Sequence, residues 1–220
     1  MRLYHFLEAK WALDDIRYRR LKVSHLDKLN DPFEFFAVDL SDKVFRRALI
    51  RTRDKLAANR GIICFCNNWR NPLMWAHYGD RYKGICLGFD VIAPEGAIAK
   101  IDYVERRLKR PRDFLAQTEA DKLAFLQRLI TTKFHHWQYE GEHRLYVSLD
   151  TNDPNTGQYF FDFGKQLVLR EVIVGAESDT TRKQVRDALG SLAPTVEAFK
   201  SRPGFSNFEV VRNQDRSAWK

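Results

Sequence analysis

The chain has 220 residues, with 37 Lys plus Arg against 29 Asp plus Glu and a net charge of +8. At 44% apolar and 13% aromatic residues it is no disordered chain, and its length suits one large domain with a proper core. No run nears the roughly 20 apolar residues of a membrane span, the N-terminus lacks a hydrophobic signal, and three cysteines are too few and too odd for a disulfide framework. A cytoplasmic protein without membrane contact is expected.

In chain order, LYHF reads as a short first strand and residues 7–18 as a helix. LKVSHL is a second strand, followed by a loop at Asn30-Asp31-Pro32, where the residue before proline is pushed out of helical space. Ser41 is placed to cap a basic helix running to about residue 59, and GIICFCNN is an apolar β run. Asn71 as N-cap with Pro72 at the first helical position opens a helix over 71–82. GICLGFDV and AIAKIDYV are further strands. Residues 111–134 carry the longest helical pattern, with Phe114, Leu115, Leu123, Phe125, Leu126, Leu129 and Ile130 on its apolar face. After residue 142 come HRLYVSL, QYFFDF and LVLREVIVG, then a helix over about 178–192 and the strand FEVV. Strands and helices mix without strict βαβ alternation. This predicts an α+β fold, a single domain over 1–220 with a central mixed or antiparallel sheet and packed helices.

Three constellations carry chemistry. Cys64-x-Cys66 lies in an apolar strand with both side chains on one face, and only Cys86 and His77 are available to complete a zinc set. Buried free cysteines pack as small hydrophobes, so no metal is expected; a cysteine nucleophile with His77 as base stays open. Met74, His77 and Tyr78 fall on one helix face, either as part of a site or as an aromatic seam between helix and sheet. The richest polar cluster is WQYEGEHRL. Glu140 and Glu142, placed at the opening of a strand, project from one face, and two carboxylates this close divide into one acceptor and one potential acid. Arg144 continues that face and is placed to neutralise them, or the three form a surface ladder.

The charge is unevenly spread. Arg106, Arg107, Lys109, Arg110 and Arg112 cluster around Pro111, and Lys43, Arg46, Arg47, Arg51, Arg53, Lys55 and Arg60 are spread over the basic helix. Such runs suit nucleic acid or an acidic protein partner, or simply keep the surface soluble. Neither run is interleaved with aromatics in the manner of single-strand binders.

LYHF near the start, LNDPFE at 29–34, LMWAHYGDRYKGICLGFD at 73–90, WQYEGEHRLY at 137–146 and LREVIVG at 169–175 together resemble bacterial domain-of-unknown-function family 2971 over most of the chain. The order of features also resembles, more distantly, the ADP-ribosyltransferase fold. That second resemblance implies an NAD-consuming transferase in which His5 and Ser24 belong to the dinucleotide site, with His5 holding the adenosine ribose. Asn30 would join them and Tyr78 would stack on nicotinamide. Glu142 would grip the ribose 2′-hydroxyl and Glu140 activate the acceptor. The Ser-Thr-Ser motif of the arginine-modifying group is absent, Ser24 alone standing near the second strand. The same resemblance implies a toxin or phage-defence effector acting on nucleic acid or protein, with an antitoxin as a further partner. The other reading is a non-catalytic module that binds nucleic acid or a protein.

Overall fold

Arg2–Leu7 forms β1, as LYHF predicts, and it lies inside the main sheet rather than at its edge. The computed structural model describes residues 1–92 and 96–220, without the side chains of Leu115 and Arg216. After β1 come α1 (Ala9–Tyr18), β2 (Arg20–Lys22), β3 (Ser24–His25), α2 (Lys43–Asn59), β4 (Arg60–Cys66), α3 (Pro72–His77) and β5 (Ile85–Val91). The middle holds β6 (Ile98–Lys100), β7 (Asp102–Val104), α4 (Glu119–Ile130), β8 (Thr132–Phe134) and β9 (Glu142–Ser148). The chain continues with β10 (Phe160–Asp162), β11 (Leu167–Val174), α5 (Arg182–Leu189), β12 (Glu197–Pro203) and β13 (Val210–Arg212).

The main sheet runs β13-β12-β11-β5-β1-β4-β9-β6, with β3 added beside β4. Its pairs are antiparallel except β11 with β12, so the sheet is mixed and the α+β expectation holds at that level. Both faces are buried at the centre, which explains the continuous apolar run of β5. Ile85, Leu87, Phe89 and Val91 point to a core shared with Ala12 and Ile16 of α1 and Val185 and Leu189 of α5. Cys86 points the other way, into a cluster with Phe6, Met74, Trp75, Ile173 and Phe199. A third cluster, with Phe35, Val38, Phe45, Leu49, Ile62 and Leu129, joins α2 and α4 to the β4 end of the sheet. No helix among the described residues is long and apolar enough to cross a membrane.

Several local expectations shift. LKVSHL divides, because β2 pairs with β10 while β3 pairs with β4. The cap of α2 is Asp42, not Ser41: its side chain accepts from Phe45 N at 2.8 Å. Asn71 caps α3 as predicted, yet the helix stops at His77, since Asp80, Arg81 and Tyr82 all take positive φ in a tight turn. The helix expected over 111–134 contracts to α4, capped by Thr118, with Leu123 turned outward at 65% exposure. The place of Leu115 on that face lies outside the described residues. AIAKIDYV divides into β6 and β7, which pair with different partners on either side of buried Ile101.

Candidate active site

Adjacent strands deliver the site. Tyr4 of β1, Cys66 of β4 and Glu142 of β9 are successive partners across three strands, and Cys64 faces Arg144 two residues along. His5, Ser24, Asn30, Tyr78, Glu140 and Glu142 all line one cavity of about 250 Å³ beside these rungs, with Cys64, Cys66, Glu34 and Lys133. The volume lies just below the range that encloses a drug-sized ligand, so a dinucleotide would extend beyond it.

The floor is a buried charge cluster. Lys133 Nζ donates to Glu140 Oε2 at 2.6 Å and to Glu142 Oε2 at 3.3 Å, and lies 3.3 Å from Glu34 Oε1. Arg144 holds Glu142 with two nitrogens, Nε to Oε1 at 2.8 Å and Nη2 to Oε2 at 2.9 Å, and reaches Glu34 Oε1 at 2.6 Å. Its remaining Nη1 donates to the Ile130 carbonyl at 2.9 Å. Three carboxylates thus meet two cations, all five side chains being buried. Above this floor Tyr78 Oη donates to Glu140 Oε1 at 2.5 Å and accepts from Asn30 Nδ2 at 2.8 Å.

The two glutamates differ as coupled carboxylates should. Burial pushes Glu140 above its ordinary range, and the pull of Lys133 and Tyr78 does not reverse it. Burial also pushes Glu142 up, but Arg144 and Lys133 outweigh it and bring that carboxyl down to about 2. Of roughly four lone-pair sites per carboxylate, Glu142 has three taken by Arg144 and Lys133 and is hydrogen-bonded by the Cys64 thiol as well, whereas Glu140 has two taken by Tyr78 and Lys133. Tyr78 is raised by burial and then by the charge of Glu140. His5 is lowered by burial, and its Nδ1, 2.7 Å from the Cys64 carbonyl, must carry the proton of a neutral ring, leaving Nε2 as acceptor.

Glu140 and Glu142 do not share a strand face. Glu140 ends the 3₁₀ turn His135–Glu140, and Gly141 at φ 51° separates it from β9. The two carboxylates meet because both reach Lys133. Gly141 does not open room for a ligand either, since a Cβ there would stand 2.3 Å from Asn67 Oδ1. Met74 of α3 and Tyr78 just after it face the cavity, while His77 is exposed and bonds Tyr139 Oη through Nδ1 at 2.8 Å. No thiol is activated: burial raises Cys64 and Cys86 and pushes Cys66 up to about 12, and all three cysteines are free. The described residues form no group of three or more His, Cys, Asp or Glu placed to hold a metal ion.

The sequence did not point to Lys133, whereas the loop over 30–34, whose pre-proline turn and short polar side chains suit a cleft wall, does line the cavity through Asn30 and Glu34. Lys133 sits in TKFHH with no spacing signal toward Glu140, and Glu34 meets Arg144 across 110 positions. A buried lysine seven positions before a glutamate becomes meaningful only once the turn between them is known. A comparison with family models, curated proteins and solved structures returns no match.

Proposed function

We propose that the chain is an NAD-consuming enzyme of ADP-ribosyltransferase type, breaking the nicotinamide–ribose bond in the cavity beside Glu140. The observation that carries this reading is the convergence of His5, Ser24, Asn30, Tyr78, Glu140 and Glu142 on a single cavity. Loss of nicotinamide builds oxocarbenium character on the ribose, and fixed negative charge beside it lowers that barrier. One carboxylate more than the cations offset is available for this. Glu142, clamped by Arg144 and Lys133, supplies fixed negative charge beside the ribose. Glu140, raised and less saturated, takes the proton of the incoming nucleophile. The Tyr78 ring offers a face for nicotinamide, and neutral His5 accepts from a hydroxyl of the adenosine ribose.

The test is nicotinamide release from NAD by the purified chain, alone and with single-stranded RNA, DNA or a cell lysate as acceptor. Glu140→Gln should cut release by about a hundredfold or more. Absence of release under every condition, or equal rates for the variant, sinks the reading. The saturation of Glu142 by Arg144 favours a second reading, in which the cluster is structural and the chain binds its partner without chemistry. Full folding with no nicotinamide release is its signature.

A further inference from the structure

Phe33 and Phe134 stand exposed, at 54% and 42%, on the wall of a second cavity of about 250 Å³. Phe36 and Val104 line it as well, and Arg106 and Arg107 border it. Glu34 and Lys133 belong to the walls of both cavities, so this one lies directly behind the charge cluster. Single exposed phenylalanines need no explanation, but two beside one cavity under a pair of arginines form a pattern. The Arg107 guanidinium lies 5.3 Å from the Phe33 ring centre, and Arg53 lies 5.0 Å from that of Phe36.

The segment 105–112 is linear sequence without aromatics, yet the fold supplies them from elsewhere. Leu108 N donates to the Ala37 carbonyl at 2.7 Å, which docks the basic loop along the Phe33–Phe36 turn, and β7 pairs with β8, which brings up Phe134. The loop carries five cations against Glu105 alone. Arg110 is held by Asp42 at 2.8 Å, whereas Arg106, Lys109 and Arg112 make no ion pair among the described residues. Rings and guanidinium planes beside unpaired cations are what a single strand uses: bases stack, phosphates pair. An acidic peptide would answer the charges and leave the rings unused.

We propose that this second cavity receives an unpaired base of a single-stranded nucleic acid, stacked on Phe33 and Phe134, with flanking phosphates on Arg106, Lys109 and Arg112. The proposal rests on the NAD-consuming reading only in making that strand the acceptor. Binding itself needs no NAD and is measured without it.

The experiment is fluorescence anisotropy of the full chain with fluorescein-labelled twelve-residue oligouridine and oligothymidine. An abasic phosphodiester of equal length and inorganic polyphosphate serve as competitors. Binding at 50 mM salt is expected, weakening with a log–log slope of about −0.7 per phosphate contact. Phe33→Ala with Phe134→Ala should weaken binding by about tenfold or more, and both rings are exposed enough to be removed without unfolding. Arg106→Glu with Lys109→Glu should flatten the salt slope. Competition by polyphosphate or the abasic strand as strong as by the oligonucleotides would overturn the base pocket. So would unchanged affinity in the phenylalanine double variant, or no binding at low salt. Binding without nicotinamide release leaves this inference standing and removes only the enzymatic one.

Discussion

Tyr78 and Glu140 share a hydrogen bond of 2.5 Å across 62 positions, and it ties the end of α3 to the turn that precedes β9. Burial raises the Glu140 carboxyl, Lys133 lowers it, and the Tyr78 bond lowers it further, so Tyr78 shares in where Glu140 titrates. Tyr78→Phe removes it and lets the Glu140 pKa climb further. If Glu140 works as a base, the acid limb of nicotinamide release should move to higher pH, with the alkaline side little changed. A pH–rate profile of wild type and variant checks this, and superimposable acid limbs would detach Glu140 from the rate.

Arg144 is almost fully buried and holds both Glu142 and Glu34. Arg144→Met leaves three buried carboxylates with Lys133 as sole cation, and breaking such a network costs about 3–5 kcal/mol. Arg144→Met combined with Glu34→Leu and Glu142→Leu removes the stranded charges and should recover much of the loss. Urea unfolding of the three proteins reads both effects. A single variant within about 1 kcal/mol of wild type would show that the cluster is not held together by its charges.

Much of the fold was legible wherever local chemistry decides it. Asn71-Pro72 fixes the start of α3 by side-chain capping and a preset φ, and the apolar runs of β4 and β5 declare buried strands. β12 was missed because Glu197–Pro203 mixes charged residues with a terminal proline and owes its strand form to pairing with β11. In the site, the residue types near β9 were legible and their geometry was not. Glu-Gly-Glu reads as strand alternation, but Gly141 takes a left-handed φ that turns Glu140 off the strand. The pre-proline loop that carries Glu34 was legible as a cleft wall, whereas Lys133 joins through the pairing of β8 with β7, which no local pattern encodes. The aromatics of the basic loop were hidden likewise, being supplied by Phe33 and Phe134 from distant segments.

Glu142 contributes to the acid dependence of stability. Its folded carboxyl, held near 2, lies below the ordinary value of 4.5, so its contribution is fully present above that value. That contribution fades as pH falls from about 4.5 toward 2. Urea midpoints measured from pH 7 to pH 3 should therefore decline steeply below about pH 5. Glu142→Gln should be less stable at pH 7 and follow a flatter curve below pH 5, because its side chain no longer titrates. A variant curve parallel to wild type through that window would assign the acid sensitivity to other groups.

Gly141 sets the offset between the two glutamates, and its conformation is one a side chain resists. At φ 51° an alanine pays the left-handed cost of about 1–2 kcal/mol, and its Cβ would stand 2.3 Å from Asn67 Oδ1. Gly141→Ala should then destabilise by about 2–3 kcal/mol in all, as strain and contact add. Asn67 is exposed, so Asn67→Gly removes the obstructing amide at little cost of its own. The double variant Asn67→Gly with Gly141→Ala should regain the contact part and keep the backbone part, leaving a deficit of about 1 kcal/mol. Thermal and urea unfolding of the two single variants and the double complete the cycle. Strict additivity would mean that Asn67 and residue 141 do not meet, and that Gly141 is required for its backbone conformation alone.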